Sequence, residues 1–327
     1  MSVKVLNRLL IAAFCVFMMA SCSNGRTRFY DASVSDDPTE ISIEPFFKDL
    51  FLMDSTQLVN KYGEFVPLYA YRVINVRSIS DIELFKADTG IIELQSDVDS
   101  VYASYSDVEA KLNLAFKYFH HYFPDKDVPR VLLHISGFNQ SIVTADGFLS
   151  ASIDQYLGSD YKPYNAVAYN YEVPFMTREQ LPVDMMYGWV SAIFPECLTG
   201  DRMLDQMIFQ GKLIYLLRVF FPDEPEYRVL SYTEEQLRWC DRYEKEIWGY
   251  ILENKEVFST DWRVYTKYMS PAPFTSGLSQ DSPGRIGIYL GYRIVESYMN
   301  HNTSVNLAML MQPTESQKFL QDAVYRP

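Results

Sequence analysis

The residues from which chemistry would have to be built are few: four histidines, four cysteines and one glutamate set beside an apolar helix face. His120, His121, His134 and His301 include no pair at the i, i+4 spacing that puts two imidazoles on one face of a helix, and the chain has no H-E-x-x-H. No metal and no cofactor is therefore expected. A nucleophile is no better supported. There is no G-x-S-x-G elbow, and "GSDYKPY" and "DSPGRIG" lack the glycine spacing and the G-K-[ST] ending of phosphate loops, so both read as turns or helix caps. Glu244 lies next to the apolar face of Leu237, Cys240, Ile247 and Ile251. Such a carboxyl is either an acid with a raised pKa or a half-buried partner for an arginine.

One stretch departs from what helix stability alone would select. "MLDQMIFQGKLIYLL", from Met203, runs Met203, Met207, Ile214 and Leu217 down one side and then sets Gln210 and Gly211 into it. A buried amide needs hydrogen-bond partners, and a glycine inside a helix costs roughly 1 kcal/mol against alanine. A second glycine cluster, Gly284, Gly287 and Gly291, opens the last long helix, where it would let another backbone approach closely. Aromatic residues such as Trp189, Tyr215 and Trp239 would line a pocket or fill the core.

The elements that must hold these residues follow from the hydrophobic period. Residues 46–123 read as helical, with Leu112, Ala115, Phe119 and Tyr122 on one face and Pro124 as the stop. The period then changes. "PRVLLHISGF" and "SIVTADGFLSASIDQYLG" are short β-rich runs, and Asp146-Gly147 is a hairpin signal, which together predict a small, largely antiparallel sheet. Helices return at about 178–194 and 203–220. Thr233 to Gln236 forms a capping-box pattern for a helix to about Glu253, and Ser282-Pro283 is placed to open the last one. Helices around a small sheet indicate an α+β, mainly helical single domain.

The N-terminus bears on location. Lys4 and Arg8 precede an apolar run, Leu9 to Ala20, too short to span a bilayer, as in a secretory signal. Ala20 and Ser21 directly before Cys22 resemble the lipobox of bacterial lipoproteins, so Cys22 is the expected lipid attachment site. The expected organisation is a signal peptide over residues 1–21, the lipidated cysteine and a flexible tether over 22–42, and the globular domain over 43–327. Cys15 leaves with the signal. Cys197 and Cys240 remain, either as one disulfide or as two buried thiols. With 42 acidic against 29 basic residues and a net charge of −13, the chain is a poor match for nucleic acid.

"YFPDKDVPRVLLHISGFNQSIVTADG", "LGSDYKPY", "LDQMIFQGKLIYLL", "YTEEQLRWC", "EIWGYI", "PAPF", "SPGRIGIYLGYRIVESYM" and the terminal "YRP" resemble, in order and spacing, the gliding motility-associated lipoproteins GldB of Bacteroidetes. The resemblance implies a lipid-anchored protein of the cell envelope, expected at the outer membrane facing the periplasm. Relatives in non-gliding bacteria keep motility itself from being carried over. A second, more distant resemblance is to predicted zinc proteases of the gluzincin kind, where one helix carries H-E-x-x-H and the next carries E-G-L-A. Gln210 stands where the ligand glutamate would be, and "MMYGWVSAIFPE" holds no histidine, so that resemblance implies a zincin-like fold whose metal site is lost.

The function expected from all this is non-enzymatic: an accessory or binding component of an envelope machinery, with other envelope proteins and the membrane as partners. The alternative is an envelope hydrolase or peptide-binding lipoprotein that uses a zincin-like cleft. There Gln210, Gly211 and Glu244 would border the pocket, and Glu244 or Glu196 would supply a new catalytic group.

Overall fold

The computed structural model describes residues 27–327. The expected signal peptide and the expected lipid site, Cys22, lie outside the described residues. In chain order the elements are β1 (Ile43–Glu44), α1 (Phe46–Leu52), α2 (Ser55–Tyr62), α3 (Phe65–Leu68), α4 (Ile82–Ala87), α5 (Thr89–Val101) and α6 (Ser106–Tyr122). The strands β2 (Arg130–His134), β3 (Ile142–Ala145) and β4 (Phe148–Ser152) follow, and then α7 (Tyr164–Val167), α8 (Leu181–Ile193), α9 (Met203–Phe220), α10 (Glu226–Val229) and α11 (Glu234–Glu253). The chain closes with α12 (Trp262–Met269), α13 (Ile286–His301), α14 (Leu307–Leu310) and α15 (Ser316–Ala323). The fold is mainly helical α+β, as its hydrophobic periods predict.

The sheet is four-stranded, in the order β1-β2-β4-β3. It is mixed, which corrects the expectation of a largely antiparallel one. Asp146-Gly147 does make the β3–β4 hairpin, with Gly147 at φ 74°, but β2 pairs in parallel with both β1 and β4. The turn dipeptide specifies its own hairpin. It carries no information about which strand lies beyond it. The nearly continuous burial along β2 is the mark of a strand covered on both faces, where parallel pairing is at home.

Alternation along the strands divides the interior in two. Val131, Leu133, Leu149 and Ala151 face the main core with α6, α8 and α9, while Leu132 faces a smaller helical layer built from α1 to α4. Phe46 is the hub of that layer, edge-on to Tyr62, Phe65 and Tyr69. His134 sits beside Phe65 and Tyr69 with no solvent exposure and no hydrogen-bond partner for either ring nitrogen.

Residues 27–42 are also part of the fold, which corrects the expectation of a flexible tether running to residue 42. Val34 and Ile41 are buried, Asn113 exchanges two hydrogen bonds with the backbone of Ile41, and Tyr122 donates to the carbonyl of Phe29. The sequence there shows no apolar period because its anchors are a few scattered side chains, Phe29, Val34 and Ile41, together with backbone hydrogen bonds.

α9 runs through the middle and is buried almost all round. Its crossing with α13 explains Gly211. A Cβ on Gly211 would collide with the backbone of Gly291, and one on Gly291 with the backbone of Met207, so the two helices touch main chain to main chain. α13 begins at Ile286 with Arg285 at its N-cap, which corrects the expectation that Ser282-Pro283 opens it: the amide and hydroxyl of Ser282 both donate to the carbonyl of Ser279 and close the preceding turn instead.

Candidate functional site

A cleft of about 600 Å³ opens between α8, α9, the loop after β2 and the segments that precede α11 and α13. That is the size of a site for a small organic molecule or a peptide side-chain cluster. Its inner wall is α8, which presents Val183, Asp184, Tyr187 and Gly188, with Ile214 from α9 beside them. The pitch of α8 puts Asp184 and Tyr187 on one face, three residues apart.

The loop after β2 forms the next wall, and a buried carboxylate holds its shape. Asp154 accepts from the backbone amides of Ser136, at 3.2 Å, and Phe138, at 2.7 Å, and from the hydroxyl of Ser152. Phe138 has φ 63° and follows Gly137 at φ 69°, a conformation that needs this clamp. Burial pushes the Asp154 carboxyl up, and the three donated bonds oppose that shift.

The polar groups of the cleft are largely bonded to one another. Asp184 accepts from Gln180 Nε2 at 2.8 Å and from the Tyr156 hydroxyl at 3.0 Å, and Tyr156 also meets the hydroxyl of Ser141. Gln180 reaches on to Ser231. Burial raises the Asp184 carboxyl above its ordinary range, opposed by these two donors and by the charge of Arg285. Tyr187 donates to Gln210 Oε1, and burial raises its phenol. These walls are fixed before any ligand arrives.

The residues singled out from sequence fall in several places. Gln210 stands behind the cleft wall as the partner of Tyr187, and Gly211 belongs to the α9–α13 crossing. Glu244 is not at the pocket, a correction to its expected place. It accepts from Tyr289 at 3.0 Å and from Tyr325 at 2.7 Å, and so ties α11 to α13 and to the C-terminus. The partner is a pair of phenols rather than an arginine. Glu196 is exposed, in a short turn after α8.

Cys197 and Cys240 are separate buried thiols, and the disulfide is not formed. Cys197 donates to the carbonyl of Met311, which places it against the C-terminal helices, whereas Cys240 lies in α11 near Tyr232. Burial pushes the Cys197 thiol up to about 11 and that of Cys240 higher still, the reverse of an activated thiolate. Trp189 packs on Phe116 and Phe119, Tyr215 on Phe29 and Trp239 on Tyr243, so the three aromatics act in packing. Among the described residues no group of three His, Cys, Asp or Glu side chains is placed to share a metal ion.

Sequence reasoning passed over Asp184, Tyr156 and Arg285. Asp184 had a signal, a carboxyl inside the apolar run "LPVDMMYGWV". Arg285 was hidden in "DSPGRIG", which reads as a turn and cap; no side chain caps the helix there, and the residue at the N-cap position, Arg285, lines the cleft.

Among protein families, residues 28–327 match the one described as gliding motility protein GldB, and the chain belongs to that family. No curated protein and no solved structure matches the chain. No described helix is long and apolar enough to cross a membrane.

Proposed function

We propose that this member of the gliding motility protein GldB family is a non-enzymatic envelope lipoprotein, attached through Cys22 to the outer membrane and facing the periplasm, that works by binding another envelope component in the α8 cleft. The observation that carries the reading is the state of the cleft walls. Asp184 and Tyr187 already have hydrogen-bond partners inside the protein, so the cavity is pre-organised to receive a shape rather than poised to exchange a proton. The family supports a gliding motility lipoprotein of the envelope. The non-enzymatic and accessory role, the envelope machinery, the membrane and the partner proteins are parts of the proposal.

The test is photo-crosslinking in native envelopes, with a photoreactive side chain at Tyr171, which lines the cleft, or at exposed Leu52 on α1. A reproducible adduct from position 171 that is not made from position 52, and that disappears with Cys22→Ala, is the expected result. No adduct from 171, or the same adducts from both positions, overturns the reading.

A second reading is favoured by Asp184 itself. A buried carboxyl with a raised pKa in a cleft is what a general acid requires, and a hydrolase of envelope peptides would use it. Asp184→Asn separates the two. A hydrolase loses its turnover with the adduct retained, whereas a binding protein has no turnover to lose.

A further inference from the structure

Among the described residues, every half-buried arginine but one pairs with a carboxylate. The half-buried Arg178, Arg202, Arg228 and Arg293 each donate to a carboxylate, Asp107, Asp205, Glu224 and Asp241 among them, as a guanidinium taken partly out of water should. Arg285 is half-buried too and lines the cleft. Among the described residues it has no ion pair and donates no hydrogen bond. It lies close enough to Asp184, Tyr187 and Tyr232 for its charge to bear on each, yet Asp184 is satisfied by Gln180 and Tyr156, and Tyr232 donates to Gly284.

Two further facts point the same way. Arg285 stands at φ 59°, ψ 21°, in the left-handed region that a non-glycine residue occupies at a cost, and such strain concentrates at binding sites. The surface leading away from it is apolar, with Phe138, Ile142, Met176, Val183 and Ile214. The charge balance limits the ligand. One guanidinium faces a cleft whose wall also holds Asp184 and Glu172, so a second negative charge would be repelled.

We propose that Arg285 is the seat for a single carboxylate carried on an apolar body, the guanidinium taking its two oxygens and the α8 side of the cleft taking the body. The inference rests on the reading of the cleft as a binding site and adds the chemistry of what it binds. Two sources carry that chemistry: a fatty acid and the free C-terminus of an apolar peptide.

The experiment uses the lipidated full chain in nanodiscs and four probes: dodecanoate, dodecanamide, N-acetyl-Phe-Leu-Phe as the free acid, and the same peptide as its amide. Binding is followed by calorimetry against empty nanodiscs. One acid is expected to bind roughly ten-fold or more tightly than its amide, with the ratio falling to near one in Arg285→Gln and recovering in Arg285→Lys. The pair that shows the ratio identifies the source. Equal binding of acid and amide in both pairs, persistence of the ratio in Arg285→Gln, or no binding of any probe overturns the carboxylate seat. Each of those outcomes is compatible with a specific crosslink at Tyr171, so the loss of this inference is distinguishable from the loss of the binding role.

Discussion

Arg285 and His134 are opposite cases of a polar side chain kept without a partner. For Arg285 the left-handed backbone costs on the order of 1 kcal/mol, of which glycine would recover a part. Arg285→Gly is therefore expected to melt no lower than the wild type while losing discrimination between acid and amide. A clear fall in Tm would mean that the arginine stabilises the fold. His134 is fully buried between aromatic rings, and burial holds its imidazole down to about 3, against an ordinary value of 6.5. The folded chain keeps it neutral while the unfolded chain takes up a proton below about pH 6.5. Stability attributable to this residue is thus intact above that pH and is lost as pH falls towards 3, at up to about 1.4 kcal/mol per pH unit. His134→Leu should lose less stability than wild type between pH 6.5 and 4, by on the order of 2–3 kcal/mol in denaturant titrations. Parallel pH curves for the two proteins would show that the ring is not desolvated as described.

At the scale of elements, the molecule depends most on one crossing and least on its caps. Gly211→Ala must push α9 from α13 because the colliding atoms are backbone, and a loss of at least about 2 kcal/mol is expected in chemical denaturation. Thr233→Ala removes one capping bond from Gln236 and should cost about 1 kcal/mol. If the two variants cost the same, the main-chain contact is looser than described. These elements also show what the sequence could tell. The Thr233 capping box, the Asp146-Gly147 hairpin and the limits of α9 were legible because each is written in residues that touch their own neighbours along the chain. The parallel pairing of β2 was not, since its partners lie beyond α1 to α6 in the case of β1 and beyond β3 in the case of β4. The site was illegible for the same reason. Asp184 and Arg285 are about a hundred residues apart, and the partners of Glu244 come from a helix and a tail that nothing in α11 announces. Gln210, as an amide on an apolar face, and Gly211 are costly to a helix by residue type alone. Their causes, a tyrosine on α8 and a backbone on α13, lie on other elements.

For the molecule as a whole, the decisive contact is where the chain enters the fold. Arg28 donates to the carbonyls of Met299 and Val305, at 2.5 Å each, so the entering segment is fastened to the end of α13 and the loop beyond it. Arg28→Ala should cost about 1–2 kcal/mol in a thermal melt and leave the cleft unchanged. This fastening changes what the proposed lipid at Cys22 would do. Only four residues separate Cys22 from Thr27, a span of at most about 17 Å when fully extended, against roughly 70 Å for a slack leash running to residue 42. If anchored as proposed, a domain on so short a stem would not sweep the periplasm. With the proposed lipid in the bilayer it would sample a thin slab at one height, and a partner would have to reach into that slab. Lengthening the stem by twenty glycine and serine residues should leave the melting temperature untouched and dilute the encounter, so that the position-171 adduct fades without any change to the cleft.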